Sequence, residues 1–407
     1  MKNLKTISMK LHKLIPFVEL ISKGLSFMGV ILITRMISVE SFGLYYYVIS
    51  VVAWASVIMD GGISYYAINR SINDDVDSLG SLLSYRLLFS FITVLFVVFI
   101  FYFLKPTILI EIALYGLTFI AVLMTAFFKI ISRTQGFLNT DFLTVITEPV
   151  IRIIFLLIAF VFYESVQLNH VFFILLISAI ISFSVCYKSF LKNTALKFEF
   201  GFRLSGMIGV LKETKYFMLM YFFLVGYKRI EVLLIDVKFG DTDTGLFSSA
   251  DNFYSSAYLF FTSLILVGIK DYLKHKKQEK IKQFFYVLAL VSLSVLIINF
   301  GSEILYDIIY KPAYFEGAKY LKTLSYSLLF TPFIYYFILR NNYEHKTKQN
   351  FLILAFGFVF KSILLLMTIN MSQFIFGIVL SDLVLLLSFL YGSKFFKKTP
   401  VYNKSKS

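Results

Sequence analysis

The sequence predicts an all-α, polytopic membrane protein: twelve transmembrane helices in two six-helix lobes related by a pseudo-two-fold axis along the membrane normal. Three observations carry that expectation. The 407 residues are 58% hydrophobic and only 15% charged, with a mean hydropathy of +0.80. Soluble domains are about 45–50% apolar and about 25% charged, and no water-soluble core hides that much apolar surface. The apolar residues come in continuous runs of roughly twenty, the length that crosses ~30 Å of hydrocarbon, and not in the alternation of a β-barrel. The connections between runs are alternately rich and poor in Lys and Arg. Soluble enzymes and nucleic-acid binders are excluded, in spite of a net charge of +15.

Taken in order, spans are expected at 14–34, 44–66, 87–104, 107–128, 143–162 and 171–187, then at 216–235, 245–267, 284–301, 323–339, 351–368 and 374–391. The first is not a signal peptide, because it carries Glu19 and Lys23 and no small-residue cleavage site follows. The expected organisation is an N-terminal lobe over 1–187, a cytoplasmic connection over 188–215, a C-terminal lobe over 216–391 and a basic tail over 392–407. With the amino terminus inside, inner segments hold 28 basic residues and outer loops six (Arg35, Lys105, Lys238, Lys311, Lys319 and Lys322). The asymmetry puts both termini in the cytoplasm, where the excess charge meets anionic headgroups. A lone Cys186 excludes an intrachain disulfide, and His12, His170, His275 and His345 lack metal-ligand spacing. No cofactor is expected, and no G-x-x-x-x-G-K-[ST] loop is present for ATP.

An internal repeat supports the two lobes. The stretch from Ile33-Thr34-Arg35 to Ser41-Phe42-Gly43-Leu44-Tyr45 parallels that from Ile235-Asp236 to Thr244-Gly245-Leu246-Phe247, with Gly43 and Gly245 lying 202 residues apart. Six spans per half is an even number, so both halves enter from the same side and are related by an axis along the membrane normal.

These residues reach a family. Lys23-Gly24, Ile31-Leu32-Ile33-Thr34-Arg35, Phe42-Gly43-Leu44-Tyr45 and Asp60-Gly61-Gly62-Ile63-Ser64 resemble the opening of polysaccharide exporters. More narrowly, they are similar to the Wzx-type O-antigen flippases of the multidrug/oligosaccharidyl-lipid/polysaccharide (MOP) exporter superfamily. Gly245-Leu246-Phe247-Ser248-Ser249-Ala250, and later Ala313-Tyr314 with Ala318-Lys319-Tyr320-Leu321, extend the resemblance into the second half. The seventh span departs from the family pattern: Lys228-Arg229 and Glu231 stand where relatives often carry a lone Asp. The resemblance implies a bacterial inner-membrane transporter whose V-shaped lobes rock to flip an undecaprenyl-pyrophosphate-linked glycan. Membrane lipids and a polysaccharide polymerase are the further partners it implies, and nucleic acid is not one.

Charges inside the spans are the most informative residues, since a Lys, Arg or Asp at a helix centre costs about 2.5–3.5 kcal/mol on insertion scales. Lys23, Arg152 and Lys361 fall at span centres, and Lys228 and Arg229 within a turn of one. With Arg35 at the outer end of the first span, these are the candidate substrate-binding cations, expected to share a wet central cleft. Glu19, Asp60 and Glu148 lie roughly 7 Å inward of the midplane, and with Glu231 they are the candidate coupling groups. Glu19–Lys23 and Glu148–Arg152 are expected as i,i+4 pairs, and Lys361 and Asp382 across the last hairpin.

A cationic cleft suits a pyrophosphate head. Tyr45, Tyr46, Tyr47, Tyr65, Tyr66, Tyr254 and Tyr258 are candidate faces for its sugars, alongside their alternative role in packing and interfacial anchoring. A drug or cation antiporter of the same superfamily would favour an acidic cleft. A peptidoglycan-precursor flippase shares the pyrophosphate cargo but typically carries two more spans. A membrane polysaccharide polymerase would need a large outer loop, and the longest here, 302–322, has 21 residues.

Overall fold

The computed structural model describes residues 2–72, 79–163, 166–193, 201, 204–274 and 277–395. Among them the secondary structure is helical, with no strand. The first half forms α1 (Lys2–Met36), α2 (Val39–Asp60), α3 (Ile63–Ile72), α4 (Leu79–Leu104), α5 (Leu109–Gln135), α6 (Leu138–Phe162) and α7 (Leu168–Asn193). The second half forms α8 (Leu204–Phe239), α9 (Asp241–Lys274), α10 (Lys277–Ile309), α11 (Gly317–Ser325), α12 (Thr331–Tyr343), α13 (Thr347–Met367) and α14 (Met371–Phe395).

Eight helices are long and apolar enough to cross a membrane: α2, α4, α5 with its leading turn, α6, α7, α10, α13 and α14. The protein is a multi-pass membrane protein. A count of twelve also needs α1, α8, α9 and the α11–α12 segment. Those are the helices loaded with charge and hydroxyls or broken into short pieces, so length and composition pass over them.

Two expected spans are not continuous. The second is split into α2 and α3, because Gly61 (φ 55°) and Gly62 (φ 74°) take left-handed conformations that end the helix. The tenth runs through α11, a 3-10 segment at Tyr326–Leu329 and α12, whose early Pro332 cannot continue the hydrogen-bond ladder. The expected connection over 188–215 is largely helical instead, since α7 reaches Asn193 and α8 begins at Leu204. The tail beyond Phe395 lies outside the described residues.

Packing follows the two halves. α1 packs on α6, and α5 and α6 on α7; α8 packs on α13, α13 on α14, and α9 on α11. Between the halves, α2 lies along both α8 and α9, whereas α1 meets α9 only sparsely. The crossing of α2 and α9 needs glycine on both sides. A Cβ on Gly43 would sit 1.9 Å from the Asp241 carbonyl oxygen, and one on Gly245 would sit 2.1 Å from that of Val39. Val39 and Asp241 are 202 residues apart, as are Gly43 and Gly245, so each half presents the same backbone to the other. That reciprocity is a local two-fold at the crossing.

The end bearing Gly43 is the one the charge asymmetry assigns to the outside. Its core is shared: Ile33, Phe42 and Phe172 pack in one cluster with Leu246, Tyr306 and Phe374. At the opposite end one cluster gathers around Leu79, Phe127 and Phe190 with Val210 of α8, and another around Met220, Leu354 and Phe389. The halves share a broad core at the Gly43 end and meet again through α3 and α8 at the other, where the Thr214 hydroxyl donates to the Gly61 carbonyl at 3.3 Å.

Candidate functional site

The structure sorts the candidate cations into two groups. Lys361 lies deep within the second half, 1% exposed, paired with Glu231 and standing 3.9 Å from Asp382 Oδ1. Tyr227 closes this cluster: its hydroxyl donates to Asp382 Oδ1 at 2.8 Å, and its ring faces the Lys361 ammonium at 4.0 Å. The expected Lys361–Asp382 contact is present, but Glu231 is the nearer partner. Arg152 forms the expected pair with Glu148 at 3.1 Å and also donates to Ser26 Oγ at 2.9 Å. Arg35 caps the end of α10, donating to the Ile308 and Ile309 carbonyls at 3.1–3.3 Å.

Lys23, Lys228 and Arg229 form no ion pair among the described residues. Lys23 is exposed and donates to Ser263 Oγ on α9 at 3.2 Å, across the sparse seam between the halves. Phe27 meets Phe253 edge-on at the same seam. Lys228 is exposed and stands 3.5 Å over the Tyr258 ring, a cation–π contact. Arg229 is half-buried, and the charge of Asp251, one helix over on α9, acts on both Arg229 and Lys228.

The four acidic candidates are all held by cations. Glu19 does not pair with Lys23: it binds Arg133 at 2.6 Å and Lys129 at 3.2 Å, both on α5. Packing overrides the i,i+4 geometry here, and Arg133 also holds Asp141 at 2.9 Å. Asp60 binds Arg86 at 2.5 Å and the Ser64 hydroxyl at 2.7 Å. Glu148 and Glu231 are taken by Arg152 and Lys361. Hydropathy alone leaves Arg86, Lys129 and Arg133 in inner loops. The signal that places them inside helices is the apolar run at Leu79, Leu82 and Leu83 before Arg86 and at Ile130 and Ile131 after Lys129, which extends the helical period past the hydropathy boundary.

Of the tyrosines, Tyr45 and Tyr46 are buried in the shared outer core. Tyr47 stacks under Lys105, Tyr254 donates to Thr331 Oγ1, and Tyr65 stacks on Phe217 with centroids 4.3 Å apart. Tyr258 is the one of these engaged by a candidate cation.

Two contacts between the halves go beyond the sequence expectations. At the outer end Lys105, on the α4–α5 turn, binds Asp236 at 3.0 Å and Asp241 at 3.2 Å, both from the second half. At mid-depth Trp54 on α2 donates to the Phe222 carbonyl on α8 at 3.1 Å, and Gly226 makes room for its ring.

Two packed helical bundles carrying charge at membrane depth have the fold of solved MOP-superfamily transporters. The lipid II flippase MurJ in an inward closed conformation superposes with a TM-score of 0.72 at 14% identity, over 94% of this chain and 87% of that one. An inward-facing multidrug resistance MATE family transporter of that superfamily gives 0.68 at 13% identity, over 92% and 94%. A Pyrococcus furiosus MOP-superfamily transporter, described as having a binding pocket of reverse polarity, gives 0.57 at 15%, over 96% and 93%. A family model described as polysaccharide biosynthesis protein matches residues 14–269, and the chain belongs to that family. No curated protein sequence matches the chain.

Proposed function

We propose that this transporter flips a polyprenyl-pyrophosphate-linked oligosaccharide, an O-antigen or other surface-polysaccharide repeat unit, from the cytoplasmic to the outer leaflet. The observation that carries the reading is that Lys23, Lys228 and Arg229 stand inside the membrane without an ion-pair partner among the described residues. An intramembrane cation is costly unless it meets water or a counter-charge, and a pyrophosphate supplies that charge. Lys gives it point contacts and Arg a bidentate fork. The sparse seam between α1 and α9 leaves room for the polyprenyl tail in lipid while the head is held between the halves. The family description fits a glycan cargo, and the undecaprenyl carrier, the bacterial inner membrane, cytoplasmic termini and a polymerase partner belong to the same proposal. Arg152, Arg35 and Lys361 then act by positioning, since each is already held by carboxylates or carbonyls. In this reading the lobes extend over 1–187 and 216–391, and closure moves one against the other. A carboxylate freed from its cation during that motion gains affinity for a proton, which makes Asp60, Glu148, Glu19 and Glu231 the coupling candidates.

The test is reconstitution with a fluorescent polyprenyl-pyrophosphate oligosaccharide. A charge-assisted hydrogen bond is worth about 1.5–3 kcal/mol, so Lys23→Ala and the double variant Lys228→Ala/Arg229→Ala are expected to weaken substrate binding about 10- to 100-fold. Native flipping rates in both variants would remove the assignment.

A further inference from the structure

A second space lies within the first half, apart from the seam between the halves. It is a cavity of about 400 Å³ bordered by α1, α5, α6 and α7. Its origin is legible in α6. Pro149 has no N–H to give the Val145 carbonyl four residues earlier, so the helix is opened there, and the Ser22 hydroxyl of α1 donates to that carbonyl at 2.8 Å instead. The two helices are tied at the opened turn, and the space forms beside it.

The cavity wall is mostly apolar, with hydroxyls set among the apolar faces. Thr125 and Thr144 donate their protons to backbone carbonyls of their own helices, leaving their lone pairs free toward a ligand. Glu19 and Glu148 border it as well, their carboxylates held by Arg133, Lys129 and Arg152. Ser182 is 1% exposed and borders the cavity. Ala126 and Ala179 supply small apolar faces. Donors are fewer: Lys129, already engaged by Glu19, and Lys23 at the rim, whose ammonium reaches across to Ser263 on α9. Apolar faces beside hydroxyl acceptors suit a ligand that offers both C–H faces and hydroxyl donors, and the volume falls in the range of small-molecule sites.

We infer that this cavity is a saccharide subsite, seating the sugar next to the phosphates while Lys23 at its rim takes the phosphate charge. The inference rests on the proposed glycolipid cargo and makes the first half the part that reads the proximal sugar.

The decisive comparison uses the full-length protein in lipid nanodiscs and two ligands, a polyprenyl pyrophosphate bearing its glycan and the same lipid without sugar, with binding read by native mass spectrometry. Ala126→Leu fills the cavity without touching a charge. It is expected to weaken the sugar-bearing lipid at least tenfold and to leave the bare lipid unchanged. Equal binding of both lipids by native and variant protein overturns the inference, and so does an equal loss for both lipids. If Ala126→Leu fails to fold, Ser182→Ala with Thr125→Val replaces it in the same comparison, and the same outcomes support or overturn the subsite. Failure of the native protein to bind either lipid defeats the cargo reading itself, a result distinct from sugar-blind binding.

Discussion

Lys361 and Lys23 occupy similar depths in the sequence pattern, yet they have opposite surroundings. Lys361 neutralises Glu231 and stands beside Asp382 with Tyr227 closing the cluster, whereas Lys23 has one hydroxyl partner. Removing one member of a buried pair leaves an uncompensated charge, a loss of about 3–5 kcal/mol. Lys361→Met is therefore expected to lower the thermal unfolding temperature in detergent sharply, and adding Glu231→Gln to recover part of it. Lys23→Ala, with no buried carboxylate to strand, is expected to leave unfolding near native. A native-like melt for Lys361→Met would mean the cluster is open to water.

At the scale of elements, the outer closure rests on the α2–α9 crossing and on the Lys105 clamp. Gly43 and Gly245 let two backbones touch, and any side chain there forces them apart. Overpacking a tight contact costs about 1–3 kcal/mol, so Gly245→Ala is expected to destabilise the closed outer end. Lys105 is partly exposed, and screening limits its clamp to about 1 kcal/mol, a roughly fivefold shift in population. A cysteine reporter in a Cys186→Ser background, placed on the seam beside Phe253, should be labelled faster from outside in Lys105→Ala and in Gly245→Ala than in the parent. Unchanged labelling in both would show that neither contact holds the outer end shut.

At the scale of the whole molecule, the halves are bonded most tightly where α2 crosses α9, and α3 and α8 join them again at the other end. Within each half the Asp60–Arg86, Glu19–Arg133 and Glu231–Lys361 pairs neutralise interior charge, which is what the proposed movement of one lobe against the other requires. The charge asymmetry predicts that a tag after Phe395 is reached by reagent only from the cytoplasmic side and that Lys319 is labelled from outside. Labelling of both from one side would break the topology on which the proposed direction of flipping depends.

The sequence by itself determined the solvent, the helical class, the internal repeat and the family resemblance, because hydropathy and glycine placement are local properties summed along the chain. It also marked the ionisable residues at membrane depth, since their cost depends on depth alone. Only the tertiary structure decided which of them are matched. An i,i+4 spacing offered Lys23 to Glu19, but α5 brought Arg133 and Lys129 closer; a hairpin offered Asp382 to Lys361, but α8 brought Glu231. Partner choice in a bundle is set by which helices pack, information spread over hundreds of residues, and among the described residues that packing gives Lys23, Lys228 and Arg229 no carboxylate.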